Sequence, residues 1–573
     1  MNKLPAFDLK TMNIAQLEDT ASLISDYLVN KTHFSVESLT RSLMVMEVTM
    51  ALHHVFDVKK SQIVFDNLEE SIVHRFLMGG YDDLTDFEYK HDFYQSSQPG
   101  YGLGVGCGLA LESDGQIIVV IDDYALNYGT TFESLLQIAT YNPDMIIVVI
   151  DEQNSLLRHY SSVDSIIKSV RISKTYTTLK KDVKMLLSNP VGKPLLGTMT
   201  KVRDGLKERI IEPTIFSQFG LEYKGPLNGS NLKECIRAFQ VAKTLKGPQI
   251  FHVKTRLRRS FQSTVQFPKF KTDHSVPEGY KNYLEHIDNL LSERDDIIVF
   301  NDVIRHQDHL VDFAIKYPDH YIISSGSHNS LIDMMKGYSM KGNKCVLVMN
   351  SSDYKYCAPH IEEQFRESDD ITIILRDAGL APRPGRVNQG VFDLTYSQIF
   401  TNHIYMGKDI DETTTLLPQI LDITQGVRIL RIPTGLTGYR GHNDPVGLSS
   451  WTILNKEEVT EPVGVIFTYG PSVNQILNKI RVNNYRVWVV NCTCPLIGDE
   501  DVLSEVSKHN IPSVVYDLED ISASLFIIVS NYLGMSKSSN LSLHGTNLNL
   551  GSKDLKNVYH LNIEHALSII IDK

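Results

Sequence analysis

GQIIVVIDDYALNYG, residues 115–129, and the DMIIVVI that follows at 144–150 decide the fold class. The run 116–121 is unbroken apolar and β-branched, which predicts a strand covered on both faces rather than on one. It ends in Asp122 and Asp123. A helix is predicted next, with Phe132, Leu135, Leu136 and Ala139 on one apolar face. The second run then ends in Asp151 and Glu152, so the whole reads as a βαβ unit. Parallel strands bring both acidic pairs to one edge of the sheet, the crevice where open α/β sheets bind ligands. Asp123 and Glu152 are therefore candidates to share a divalent cation through carboxylate oxygens. The same acids would equally serve as solvated caps of helix N-termini, and the local residues leave both readings open. No glycine lies between Gln116 and Tyr128 to let backbone N–H groups approach a phosphate.

The pattern recurs along the chain. QIIVVI (116–121), DMIIVVI (144–150), PQIFHV (248–253), DIIVF (296–300), KCVLVM (344–349), ITIIL (371–375), GVIFTY (464–469), RVWVV (486–490) and PSVVYD (512–517) alternate with helix-like stretches. Apolar strands alternating with helices predict an α/β protein with mostly parallel sheets flanked by helices. Two aperiodic stretches, one basic and then Pro/His/Asp-rich, the other rich in Gly and Pro, mark linkers at 256–284 and 436–459. Three domains follow: 1–255, 285–435 and 460–573.

Composition narrows the function classes. The 573 residues are 42% hydrophobic with a formal net charge of −12, which argues against nucleic acid as a general partner. Six scattered cysteines suit a reducing compartment, and Cys492 and Cys494 are read as strand residues rather than metal ligands. The first thirty residues have no basic start or apolar core, and no apolar run reaches membrane-spanning length. The expectation is a cytoplasmic protein that binds neither membrane nor nucleic acid.

Longer segments carry a resemblance. FDLKTMNIAQLEDTASLISDYLVNKT (7–32), MEVTMALHHVFDVKKSQIVFD (46–66), GLEYKGPLNGSNL (220–232), LKGPQIFHVKT (245–255), NQGVFDLTY (388–396), LRIPTG (430–435), VGVIFTYGPSVNQIL (463–477) and VVNCTCPLIGDEDVL (489–503) together resemble the 1-deoxy-D-xylulose-5-phosphate synthase family of transketolase-like thiamine-diphosphate enzymes. The resemblance runs nearly end to end. It implies three α/β domains, a homodimer, thiamine diphosphate and Mg²⁺ held between the first two domains, and condensation of pyruvate with glyceraldehyde 3-phosphate toward isoprenoid and thiamine precursors.

The family's functional motifs do not carry over. Its Gly-Asp-Gly metal motif falls on Asp122-Asp123-Tyr124, keeping the aspartate and losing both glycines. Its second metal ligand, an asparagine, falls on Glu152. Its Gly-Gly-His motif falls on Val36-Glu37-Ser38, and its other histidines on Glu69, Gln98 and Asn388. The glutamate that activates the thiazolium falls on His328, an aspartate of the sugar-phosphate loop on Pro384, and the phosphate-binding arginine on Thr434. A diphosphate needs backbone N–H groups at close range, which glycines permit and Tyr124 does not. Glu69 would set a like charge beside it, worth roughly 4 kcal/mol at about 4 Å and an effective dielectric near 20. Neutral imidazole is a poor replacement for the carboxylate that makes the aminopyrimidine a base.

Other features have ordinary readings. The basic stretch 254–271 is read as a linker or subunit contact, and APRPGR (381–386) as a rigid loop. His53 and His54 lie in an apolar helix, one packed and one exposed, and Glu47 is a framework residue. Three functions remain in competition. The first is a synthase-like protein that has lost activity and works by association, as a homodimer or with an active synthase subunit. The second is a working thiamine-diphosphate synthase with an unusual site. The third is an enzyme of another class using Asp122, Asp123, Asp151 and Glu152 around a metal.

Overall fold

The computed structural model describes residues 7–31, 36–58, 61–67, 69–79, 100–113, 115–152, 216, 219–256, 290–291, 293–294, 296–302, 318–324, 328–380, 389–433, 447–448, 450–518, 521–542 and 562–571. The chain divides into two compact units, residues 1–270 and 271–573.

The first unit is built on the strands β1 (Ile63–Phe65), β2 (Ile117–Asp122), β3 (Met145–Glu152), β4 (Glu222–Asn228) and β5 (Gln249–Thr255). They form one sheet of order β1-β2-β3-β5-β4, with every pairing parallel. The continuous apolar runs have a simple cause. Ile118, Val120, Ile146, Val148 and Ile150 point into a core shared with the helices Ile14–Lys31, Met46–Val55 and Leu232–Ala242. Their neighbours Ile117, Val119, Ile121, Met145, Ile147 and Val149 point the other way, onto the helices Tyr101–Glu112 and Gly129–Tyr141. Successive side chains of a strand face opposite ways, so a sheet covered twice must be apolar at every position. Each fully buried aliphatic side chain contributes about 1.5–3 kcal/mol. In the helix Gly129–Tyr141 the buried stripe is Thr131, Ser134, Leu135 and Ile138, whereas Leu136, expected on that face, is 54% exposed. Leu136 follows Leu135 by one helical step of about 100°, which turns it away from the stripe. The helix ends at Asn142 in the left-handed region, φ 49°.

The second unit holds two sheets. β6 (Ile297–Asp302), β7 (Tyr321–Ser324), β8 (Lys344–Asn350), β9 (Asp370–Ala378), β10 (Ile404–Met406) and β11 (Gly426–Pro433) pair in parallel in the order β10-β11-β9-β8-β6-β7. β12 (Thr452–Ile453), β13 (Gly464–Thr468), β14 (Val487–Asn491), β15 (Ser513–Asp517) and β16 (Ser538–Ser542) form the order β12-β14-β13-β15-β16, parallel except for β12 against β14. β12 lies inside the stretch read as the second linker. The two sheets share one apolar core, in which Ile371, Ile373 and Leu375 meet Trp451, Val465, Phe467 and Val490. Cys492 and Cys494, expected in a strand, follow the end of β14 instead; both are buried, and the Cys492 N–H donates to the Thr468 carbonyl. Among the described residues no helix is long and apolar enough to cross a membrane.

Candidate functional site

The carboxyl edge of the first sheet is where sequence and fold meet. β2 delivers Asp122 at its last position, and the chain turns at once into the 3₁₀ helix Asp123–Asn127. Asp122 caps that turn, its Oδ1 accepting the Ala125 N–H at 2.9 Å. Tyr124 is half-buried and packs edge-on against Tyr128, with ring centroids 5.7 Å apart. Asp123 begins the turn. Asp122 stands opposite Ile150 of β3, so Glu152 lies two residues further along that strand. The Glu152 side chain is outside the described residues, and so is its distance from Asp123.

Glu69 reaches the same edge from the 3₁₀ turn Glu69–Ser71. It meets a residue that sequence reading does not find. Arg41, on the helix Val36–Met44, places Nε 3.3 Å from Glu69 Oε2 and Nη1 3.9 Å from Asp122 Oδ2. Asn67 Nδ2 donates to Asp122 Oδ2 at 3.4 Å, and Asn67 Oδ1 accepts the Glu69 N–H at 3.0 Å. Ser42 Oγ donates to the Glu69 carbonyl at 2.6 Å and docks the helix on the turn. Glu69, expected to confront a ligand with bare negative charge, has an internal counter-ion.

Asp66 lies behind this group. Its oxygens accept the N–H groups of Gly100, at 2.5 Å, and Gly102, at 2.7 Å, at the start of the helix Tyr101–Glu112. Burial pushes its pKa up to about 7 and Asp122 adds to the rise, while the two N–H donors pull the other way. A Cβ on Gly102 would sit 2.8 Å from Asp66 Oδ1, so this close approach needs glycine.

A second polar chain lies on the other face. The Tyr223 hydroxyl is 2.6 Å from His252 Nδ1, His252 Nε2 is 3.0 Å from Asp151 Oδ2, and Lys254 Nζ is 3.3 Å from that same oxygen. Burial alone would raise the Asp151 carboxyl, but hydrogen bonds and charge from His252 and then Lys254 together outweigh it and hold it below its usual value. Asp151 is thus engaged inside the fold. Among the described residues no group of three or more His, Cys, Asp and Glu side chains is placed to hold a metal ion.

In the second unit His328 opens the helix His328–Ser339 and is buried. Burial lowers its pKa, with Asp353 nearby acting in the opposite sense. Ser38 lies on the helix Val36–Met44, but its side chain is outside the described residues. Gln98, Pro384, Asn388 and Thr434 are outside them altogether. Of the histidine pair, His53 is packed and bonded to His74 at 2.8 Å. One of the pair is expected to be exposed, but His54 is half-buried, with Nδ1 2.7 Å from the Leu9 carbonyl.

Residues 3–255 match the family model described as 1-deoxy-D-xylulose-5-phosphate synthase. The chain is 25% identical over 596 residues to the 1-deoxy-D-xylulose-5-phosphate synthase of Clostridium acetobutylicum, covering 97% of this chain and 95% of that protein. Over most of its length the chain is similar to the 1-deoxy-D-xylulose-5-phosphate synthases. The synthase of Listeria welshimeri is likewise 25% identical over 555 residues, covering 89% of this chain and 87% of its own. A solved transketolase from Campylobacter jejuni matches with 13% identity and a TM-score of 0.42, covering 98% of this chain and 100% of that one. The segment Asp122-Asp123-Tyr124 that closes β2 lies within the matched residues 3–255. Arg41 and the Tyr223–His252–Asp151 chain escape the sequence because their partners lie far along the chain. The one local signal is a histidine in the apolar run IFHV, at an inward-facing position of β5.

Proposed function

We propose that this chain is a synthase-like protein without synthase activity, acting by association with a second copy or with an active synthase subunit. The observation that carries the reading is the closed turn after β2. The Ala125 N–H is taken up by Asp122 and so is closed to a phosphate, and Tyr124 stands where the resemblance puts a glycine. Backbone N–H groups must be open and close to cradle a phosphate. Glu69 and Asp122 bring two carboxylates to the same place, and Arg41 already answers them from inside. The residues present do not fit a diphosphate–cation pair. His328 supports the same conclusion from the second unit. It stands where the resemblance puts the activating glutamate, and burial favours its neutral form. A neutral imidazole lacks the carboxylate character needed to make the aminopyrimidine a base. Asp151, held by His252 and Lys254, speaks against an acidic cluster serving a different metal enzyme.

The test is calorimetric titration of the full chain with thiamine diphosphate and excess Mg²⁺, followed by an assay of pyruvate consumption. The expected result is no micromolar binding and no turnover; either one would overturn the reading. Light scattering at micromolar concentration tests the association, with a dimer expected and a monomer counting against it.

A further inference from the structure

We infer that Arg41 is a built-in counter-cation, standing where the carboxylates of this sheet edge would otherwise require a bound divalent ion. Resting on the reading above, in which no diphosphate comes to this edge, the question is what balances its charge. Asp122 is nearly buried, at 9% side-chain exposure, and Glu69 is 24% exposed. Both end beside one guanidinium, which is itself only 21% exposed. Carboxylate oxygens converge on it from separate elements, Asp122 from the end of β2 and Glu69 from a 3₁₀ turn, and Asn67 ties the two together. Convergent carboxylates held by surrounding hydrogen bonds are the usual surroundings of a hard cation. Here the positive charge is covalently part of the chain. A planar guanidinium keeps its charge at every accessible pH and presents several N–H donors in fixed directions, so it can serve two carboxylates at once.

The placement has a structural reason. Ser42, next to Arg41 on the helix Val36–Met44, donates to the Glu69 backbone and fixes the helix against the turn. The guanidinium is thereby held in register with both acids. The first unit thereby folds with one positive charge of its own set between the two carboxylates of this edge.

The test uses the full chain and its variants Arg41→Gln, Arg41→Lys, Asp122→Asn and the double variant Arg41→Gln/Asp122→Asn, melted with EDTA and again with millimolar MnCl₂. Wild type is expected to melt at the same temperature with and without Mn²⁺. Arg41→Gln is expected to melt lower by about 3–8 °C in EDTA. It should recover part of that loss in Mn²⁺, because an ion that binds the native state raises Tm. Arg41→Lys should lie nearer wild type than Arg41→Gln does. Should Arg41→Gln fail to fold, the double variant decides: removing the facing charge together with the guanidinium should restore a melt close to that of Asp122→Asn. An Arg41→Gln melt equal to wild type, no recovery in Mn²⁺, or a wild type that Mn²⁺ stabilises as strongly as the variant would each overturn the assignment. Failure here is distinguishable from failure of the functional reading. Thiamine diphosphate binding by wild type would sink that reading while leaving the Arg41–Asp122 coupling measurable, and the reverse outcome would leave an inactive protein whose edge charge is balanced some other way.

Discussion

Asp393→Asn should destabilise the second unit by about 3–5 kcal/mol, the usual cost of stranding one partner of a buried ion pair. Arg431 and Asp393 are 0% and 1% exposed, with Nε 2.8 Å from Oδ2. Ser351 Oγ donates to the same Oδ2 at 2.8 Å, and Arg431 Nη2 also reaches the Gly390 carbonyl at 3.3 Å. The substitution keeps the shape and removes the charge. Arg431 remains ionised in the interior with the Asp393 charge gone, and the new amide turns either an N–H group or a weaker acceptor toward it. Replacing both partners with apolar residues of closer total volume, Asp393→Val with Arg431→Met, is a different perturbation and should fall within about 1 kcal/mol of wild type or above it. The assay is urea unfolding of the full chain followed by tryptophan fluorescence. Both tryptophans, Trp451 and Trp488, lie in the core of the second unit and report on it alone. At an m-value of about 3 kcal/mol/M the midpoint of the single variant should fall by about 1–1.7 M with m unchanged. A loss below about 1 kcal/mol, the range of exposed pairs, would refute the reasoning. So would a double variant less stable than the single one.

Acid should weaken the first unit through His53. Its ring is buried against His74, and burial together with that neighbour holds its pKa well below the ordinary histidine value of about 6.5. Below about pH 6.5 the unfolded chain binds a proton that the folded one refuses, so stability falls by up to about 1.4 kcal/mol per pH unit. His53→Phe should flatten this dependence between about pH 6.5 and 5 in melts recorded across that range, and an unchanged slope would count against the assignment. Two glycines of the helix Tyr101–Glu112 should respond in opposite directions. Gly106→Ala drives a Cβ into Val119 of β2 and should cost about 1–3 kcal/mol. Gly108→Ala enters open space and should stabilise by about 0.5–1 kcal/mol. Equal shifts in Tm for the two variants would show that packing against β2 is not the cause.

What could be read in advance, and what could not, divides along the geometry of the sheets. Strands such as β2, β3, β8, β9, β13 and β14 lie inside their sheets and are covered on both faces, so each appears as an unbroken apolar run. β1, β7, β10 and β12 lie at edges and are two to four residues long, too short for any period to show. β4 and β16 are edge strands with polar sequences, EYKGPLN and SSNLS. β11 is interior yet also hard to read, because Arg428 and Arg431 interrupt its apolar run. Both are buried against Asp370 and Asp393, and nothing near them in the chain signals that.

The candidate site divides in the same way. Composition and order alone place Asp122 and Asp123 at a strand's end, and the missing glycines are plain in the letters, because strand period and backbone freedom are local properties of neighbouring residues. That Asp122 closes its own turn is nearly as local, since its partner is Ala125. The charge balance is not local. Arg41 meets Glu69 and Asp122 because separate elements are packed together, and His252 meets Asp151 and Tyr223 because β3, β5 and β4 lie side by side. An ion pair between residues far apart in the chain leaves no period and no spacing to read. It exists only once burial of the apolar faces has brought its partners within a few ångströms, and at that distance the surrounding dielectric decides its strength.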